Sequence, residues 1–173
     1  MYSYTNNIRD EELSVGGAQF VGGVALGIIL FGKTGYALPP GSVENATTFN
    51  FPVYYKAVEA ASVESVVSPE LDNDVLEQLI IAGKEMEEQG CRAIIGACGY
   101  FANYLPDVKK ALNVPCFFSS LMQIPLILCS LQNNRKIGVL CADGRVLSSA
   151  PVLRNCGVDD LSRVVISGAE VLP

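Results

Sequence analysis

Residues 93–101 read AIIGACGYF, an apolar run that ends in small residues and a cysteine. The run has the length and composition of a buried strand, and the break after it predicts that the strand stops just before Cys98. In an open sheet flanked by helices, ligands bind at the carboxyl ends of the strands. The stretch therefore predicts an α/β fold with a thiol at the edge of the sheet where chemistry takes place. The chain has no histidine, so cysteine is its natural candidate for proton transfer near neutral pH.

Strand and helix patterns alternate on both sides of this stretch. We predict strands over residues 24–31, 92–97, 114–118, 136–141 and 163–166. We predict helices over residues 74–89, 107–112, 121–131 and 145–155. Residues 32–52 are an irregular segment of the kind that is often functional, and residues 53–67 combine strand-like and helix-like parts. Alternation of this kind predicts a doubly wound, mostly parallel sheet with right-handed crossovers.

The composition restricts the classes of function. Half of the 173 residues are apolar and the net charge is −6, which argues against a nucleic-acid surface, because such surfaces cluster lysine and arginine. Residues 13–32 carry no charge, but they include six glycines, and we interpret the apolar part as a buried strand rather than a membrane segment. The six cysteines form no CxxC pair and no zinc-ligand spacing. We therefore expect no metal and a cytoplasmic protein with free thiols.

Several segments resemble the aspartate/glutamate racemase superfamily, in particular its less-characterised Asp/Glu racemase family branch. The resemblance rests on the strand and cysteine turn at 93–99, on VPCFFSSLMQIP at 114–125, and on KIGVL at 136–140. Pro40-Gly41, Asn45, Thr48-Phe49 and Pro52-Val53 are also similar to that branch. Related enzymes include hydantoin racemases, maleate isomerases and arylmalonate decarboxylases.

The resemblance implies two α/β domains with a cleft between them and proton transfer without any cofactor. Two cysteines, one from each domain, would act on opposite faces of a small carboxylate substrate. Cys98 matches the first cysteine, and no cysteine here matches the second. We therefore expect an N-terminal domain over residues 1–113 and an incomplete second domain over residues 114–173, in a chain truncated at its C-terminus.

Further residues are candidates for substrate binding. Gly99 would let the backbone approach a carboxylate, and amide N–H groups beyond it would lower the pKa of Cys98 below the usual value of about 8.5. Ser119 and Ser120 are helix caps whose hydroxyls can also bind a carboxylate. Cys141 ends a strand and is a candidate for the substrate pocket, with a place in the core as the alternative. Tyr100 and Tyr104 either line the cleft or pack in the core, and Lys33 and Arg145 are either solvated or paired with a substrate. Cys91, Cys116, Cys129 and Cys156 are assigned to packing.

The sequence leaves the function open between two classes. One is a pyridoxal-phosphate-independent racemase or isomerase for aspartate- or glutamate-type carboxylates, with Cys98 as the catalytic residue. The other is a non-catalytic ligand-binding protein or an inactive fragment that lacks the second cysteine. A thiol redox protein is disfavoured because CxxC is absent. We expect a homo-oligomer with no nucleic-acid or membrane partner, and we expect Cys98 to be the most reactive thiol.

Overall fold

The computed structural model describes residues 21–32, 34–149 and 151–171. Four parallel strands form the first sheet in the order β2-β1-β3-β4. They are β1 (Leu26–Phe31), β2 (Val53–Val58), β3 (Ala93–Gly96) and β4 (Cys116–Phe117). In the register of the sheet, Ile28 lies between Tyr55 of β2 and Ile95 of β3. The predicted α/β class with a parallel sheet is confirmed.

The connection between β1 and β2 differs from the predicted alternation of strands and helices. These strands are parallel neighbours, which are usually joined by a crossover helix. Here the described residues of the connection, 32 and 34–52, contain turns and a single isolated bridge between Pro40 and Ser42. The irregular segment predicted from the sequence is therefore present, and it takes the place of a helix.

Helices follow β2, β3 and β4 along the chain. They are α1 (Val63–Val66), α2 (Asn73–Glu88), α3 (Leu105–Ala111) and α4 (Ile124–Ser130). The long helix α2 begins after Asp72, whose side chain accepts hydrogen bonds from the N–H groups of Asp74 and Val75. It ends before Gly90, which takes the positive φ of 87° that a non-glycine residue would avoid. None of the described helices is long and apolar enough to cross a membrane.

A second, two-stranded parallel sheet contains β5 (Ile137–Cys141) and β6 (Val164–Gly168). The single helix predicted over 145–155 is wrong, because the structure has two helices there, α5 (Gly144–Ser149) and α6 (Val152–Asn155). Pro151 explains the break, since proline lacks the N–H donor that a continuous helix needs. The predicted domain division after residue 113 stays a prediction; β4 pairs with β3, so the two sheets divide between β4 and β5.

One apolar core joins these elements. Its largest fully buried side chains include Ile28, Ile29, Leu79, Met86, Ile94, Phe101, Tyr104 and Phe118 from the first sheet and its helices, with Leu147 from α5. A polar contact also joins the two parts, because Asn155 of α6 donates a hydrogen bond of 2.9 Å to the carbonyl of Ala102. This contact holds α6 against the segment that follows β3.

Candidate functional site

A cavity of about 350 Å³ opens where the carboxyl ends of three strands meet. Phe31 is the last residue of β1, Cys98 follows β3, and Cys141 is the last residue of β5. The other lining residues are Tyr36, Val63, Val67, Ala97, Gly99, Tyr100, Ser120, Leu121, Val139, Leu140, Ala142 and Leu147. Both sheets therefore contribute to one cavity, at the edge where parallel sheets bind ligands.

Cys98 caps a 3-10 helix over Gly99–Asn103 and its side chain is half-buried. The N–H groups of Tyr100 and Phe101 lie close to the thiol and favour its ionised form. Burial disfavours the thiolate more strongly, and together with the nearby charge of Glu44 it raises the pKa of Cys98 to about 11. The expectation of a lowered pKa was wrong, because it counted the amides but not the apolar surroundings.

The two serines have different surroundings. Ser119 is buried and its hydroxyl accepts a hydrogen bond of 3.2 Å from the N–H of Leu121, so it is a cap. Ser120 is exposed and lies on the cavity wall. The helix they precede is not continuous from residue 121, since a 3-10 turn over Ser120–Gln123 comes before α4. Gly99 lines the cavity, and the Ser119 hydroxyl is the nearest group to the place where its Cβ would be.

Tyr100 connects the Cys98 turn to the second sheet. Its hydroxyl donates a 2.7 Å hydrogen bond to the carbonyl of Asp143 and accepts one of 3.0 Å from the N–H of the same residue. The Tyr100 hydroxyl also contacts Cys141. Burial raises the pKa of the Cys141 thiol, and the hydroxyl opposes part of this rise. Cys98 and Cys141 thus reach one cavity from different sheets, with Tyr100 between their strands.

Tyr104 and Arg145 fall outside the cavity. Tyr104 is buried and accepts a hydrogen bond from the N–H of Asp72. Arg145 is exposed and pairs with Asp143 at 2.8 Å, and Lys33 lies outside the described residues. Of the cysteines assigned to packing, Cys91, Cys116 and Cys156 are buried, but Cys129 is exposed. That assignment was wrong for Cys129, which is exposed on α4. No group of three or more potential metal ligands is present in the described ranges.

Two residues of the irregular segment were missed by sequence reasoning. Tyr36 lines the cavity, and its hydroxyl donates a 3.0 Å hydrogen bond to Glu44. Burial and the Glu44 carboxylate together raise the pKa of Tyr36 to about 12. The only signal in the sequence was the length of the segment, which indicated function without indicating which residues face the strands.

Comparison with known proteins gives two kinds of relatives. No family model matches the chain. It is 33% identical over 154 residues to dimethylsulfoniopropionate lyase 3 of Emiliania huxleyi, a match that covers 86% of this chain and 39% of the lyase. Lyase 6 of the same organism is 34% identical with the same coverage. A dimethylsulfoniopropionate lyase of Durusdinium sp. clade D is 28% identical over 69% of this chain and 41% of the lyase. The chain thus spans about two fifths of the length of these relatives.

Two solved structures have a similar fold. An aspartate racemase homologue from Pyrococcus horikoshii superposes with a TM-score of 0.50 and 20% identity, over 84% of this chain and 65% of that one. Glutamate racemase from Campylobacter jejuni superposes with a TM-score of 0.50 and 15% identity, over 82% and 56% of the two chains. At this level of identity the likeness concerns the fold.

Proposed function

We propose, on the premise that this chain has the fold of the aspartate/glutamate racemase superfamily, that it is a lyase using Cys98 as a general base. Its substrate would be a small carboxylate with a sulfonium group on the β carbon, of which dimethylsulfoniopropionate is the simplest example. The observation that carries the proposal is the half-buried Cys98 thiol in the aromatic-lined cavity of a chain one third identical to dimethylsulfoniopropionate lyases.

The reaction needs one base and one leaving group. The Cys98 thiolate removes a proton from the carbon next to the carboxylate, and the remaining electron pair forms a carbon–carbon double bond. The carbon–sulfur bond breaks as the double bond forms, and its electrons leave with dimethyl sulfide. The products are acrylate, dimethyl sulfide and a proton that the thiol returns to solvent.

A high pKa of Cys98 suits this step. A proton next to an ionised carboxylate is weakly acidic, and the thiolate of a thiol with a high pKa is the stronger base. The positive sulfonium group, bound in the same cavity, would also favour the thiolate over the thiol. Elimination ends with the double bond, so no group is needed to deliver a proton to the opposite face.

Racemisation is the second candidate, and one observation favours it. Cys141 lines the same cavity from the other sheet, so a second thiol is available. In a racemase one thiolate would remove the α proton and the other thiol would return a proton on the opposite face. The pairing of Cys98 with Cys141 would replace the second cysteine that the family resemblance places further along the chain.

Headspace chromatography of dimethyl sulfide tests the lyase. We expect release from dimethylsulfoniopropionate to fall at least about 100-fold in Cys98→Ser, since general-base catalysis contributes about that much or more. Cys129→Ser is the matched control and should retain activity, because Cys129 is exposed on another element.

The pH profile adds an independent check. Because the pKa of Cys98 is raised to about 11, the thiolate fraction and kcat/KM should increase roughly tenfold per pH unit between about pH 7 and 9. A flat profile would exclude Cys98 as the base. Deuterium incorporation and D-enantiomer from L-aspartate in D₂O, without release of dimethyl sulfide, would instead favour the racemase.

A further inference from the structure

Glu44 is held in a fixed position within the irregular segment, defined as residues 34–52. One carboxylate oxygen accepts the Tyr36 hydroxyl at 3.0 Å, and the other accepts the hydroxyl of Ser42. The Tyr55 hydroxyl, from β2, is shared between the carbonyls of Val43 and Asn45 at 3.3 Å. The carboxylate therefore stands behind Tyr36 and is anchored to the first sheet.

The cavity in front of Tyr36 has aromatic walls and no charge of its own. Phe31, Tyr36 and Tyr100 all line it, and none of the described lining residues is acidic or basic. Phe31 is fixed by packing against Phe101, with ring centroids 5.4 Å apart. Glu44 is nevertheless close enough for its charge to act on Cys98, so its negative potential reaches the cavity.

We propose that Glu44, acting through the Tyr36 ring, makes this cavity select ligands that carry an onium group over uncharged ligands of the same shape. The onium group is a sulfonium or a quaternary ammonium, and the carboxylate of the ligand is common to both kinds. The inference deepens the proposed function, and it rests on that proposal for the class of substrate.

The physical reason is the hydrogen bond between Tyr36 and Glu44. A phenol whose hydroxyl donates a hydrogen bond to a carboxylate gains electron density on its oxygen and ring. A cation bound over the face of such a ring is attracted by its quadrupole and by the carboxylate behind it. An onium group has no N–H or O–H donor, so aromatic faces and a nearby negative charge are the interactions that can recognise it. Glu44 is thus a positioning residue for selectivity rather than a catalytic residue.

The test uses two ligands that differ only in charge. 3-(Trimethylammonio)propionate and 4,4-dimethylpentanoate have the same carboxylate and the same shape, with nitrogen replaced by carbon. Isothermal titration calorimetry on the 173-residue chain gives the ratio of their dissociation constants. We expect the wild-type chain to prefer the ammonium ligand by about tenfold or more, a size typical of a partly desolvated cation–π contact.

Two variants separate the hydrogen bond from the ring. Glu44→Gln removes the charge and Tyr36→Phe keeps the ring but removes the hydroxyl, and both should reduce the preference to about threefold or less. Glu77→Gln, on the exposed face of α2, is the matched control and should leave the ratio unchanged. Circular dichroism confirms that each variant is folded.

The outcomes distinguish this inference from the proposed function. Equal binding of the two ligands by the wild-type chain, or an unchanged preference in folded Glu44→Gln and Tyr36→Phe, overturns the inference. Charge preference without dimethyl sulfide release supports the inference and rejects the lyase. Release of dimethyl sulfide with an unchanged ratio in both variants rejects the inference and leaves the lyase standing.

Discussion

Cys98 has an apolar environment and a carboxylate nearby, and both disfavour the ionised form of its thiol. Its position after an apolar strand was predictable, because a run of strand length followed by Gly99 ends at the edge of a sheet. The raised pKa of Cys98 was not predictable. It results from the apolar lining of the cavity and from Glu44, which is distant in the sequence. Tyr36 and Glu44 were missed for the same reason, since only the folded segment turns them towards the strand ends.

The order of thiol reactivity follows from the same environment. The structure favours Cys129 over Cys98, the thiol expected from the sequence, as the first to react with iodoacetamide at pH 7.5, because Cys129 is exposed while burial raises the pKa of Cys98. Limited labelling followed by peptide mapping measures the order. In Cys129→Ser the fast phase should disappear, and a fast phase assigned to Cys98 in either protein would contradict the burial of its thiol.

Helices and strands were predictable where the spacing of apolar residues repeats over many positions. The helix α2 lies within one residue of its predicted bounds at each end, because its apolar and acidic residues alternate with the helical repeat and Asp72 and Gly90 bound it. The break between α5 and α6 was missed, although Pro151 marked it, because the apolar pattern continues across the proline. The strand β4 is shorter than predicted, because only Cys116 and Phe117 pair with residues of β3.

The Tyr100 hydroxyl joins the segment after β3 to the segment after β5. Tyr100→Phe removes both hydrogen bonds to the backbone of Asp143. Leaving those part-buried groups unpaired should lower the free energy of unfolding by about 1–3 kcal/mol, measured by urea denaturation. Tyr54→Phe removes a bond to the carboxylate of Glu85 and is the matched control, with an expected change below about 1 kcal/mol. Equal losses in both variants would contradict the bridging role.

In the part of the chain that the structure describes, one face of the second sheet is uncovered. Parallel sheets are usually buried on both sides, but Leu140 of β5 and Val165 of β6 are exposed on the same face, at 77% and 52% of their surface. On α4, Leu126 is also exposed. Exposed apolar residues on one sheet face favour association, and the homo-oligomer expected from the sequence stays a prediction.

Association through this face can be measured by sedimentation velocity. We expect the wild-type chain to sediment as an oligomer and Val165→Lys to sediment as a monomer, because a buried ammonium without a partner strongly disfavours an interface. Ile81→Lys, on the exposed face of α2, is the matched control and should remain oligomeric. A monomeric wild-type chain, or an oligomeric Val165→Lys, would show that this face is not the contact.

The irregular segment between β1 and β2 is held in place by hydrogen bonds rather than by the apolar core. Its hydrogen bonds join Tyr36, Leu38, Ser42, Glu44, Asn45 and Thr48 to one another, and Tyr55 anchors it from the sheet. Since it contributes none of the buried core side chains, its sequence can drift with little effect on the parallel strands beneath it. A lineage can therefore acquire a new ligand by exchanging this segment as a module, while Cys98 and the surrounding scaffold are inherited intact.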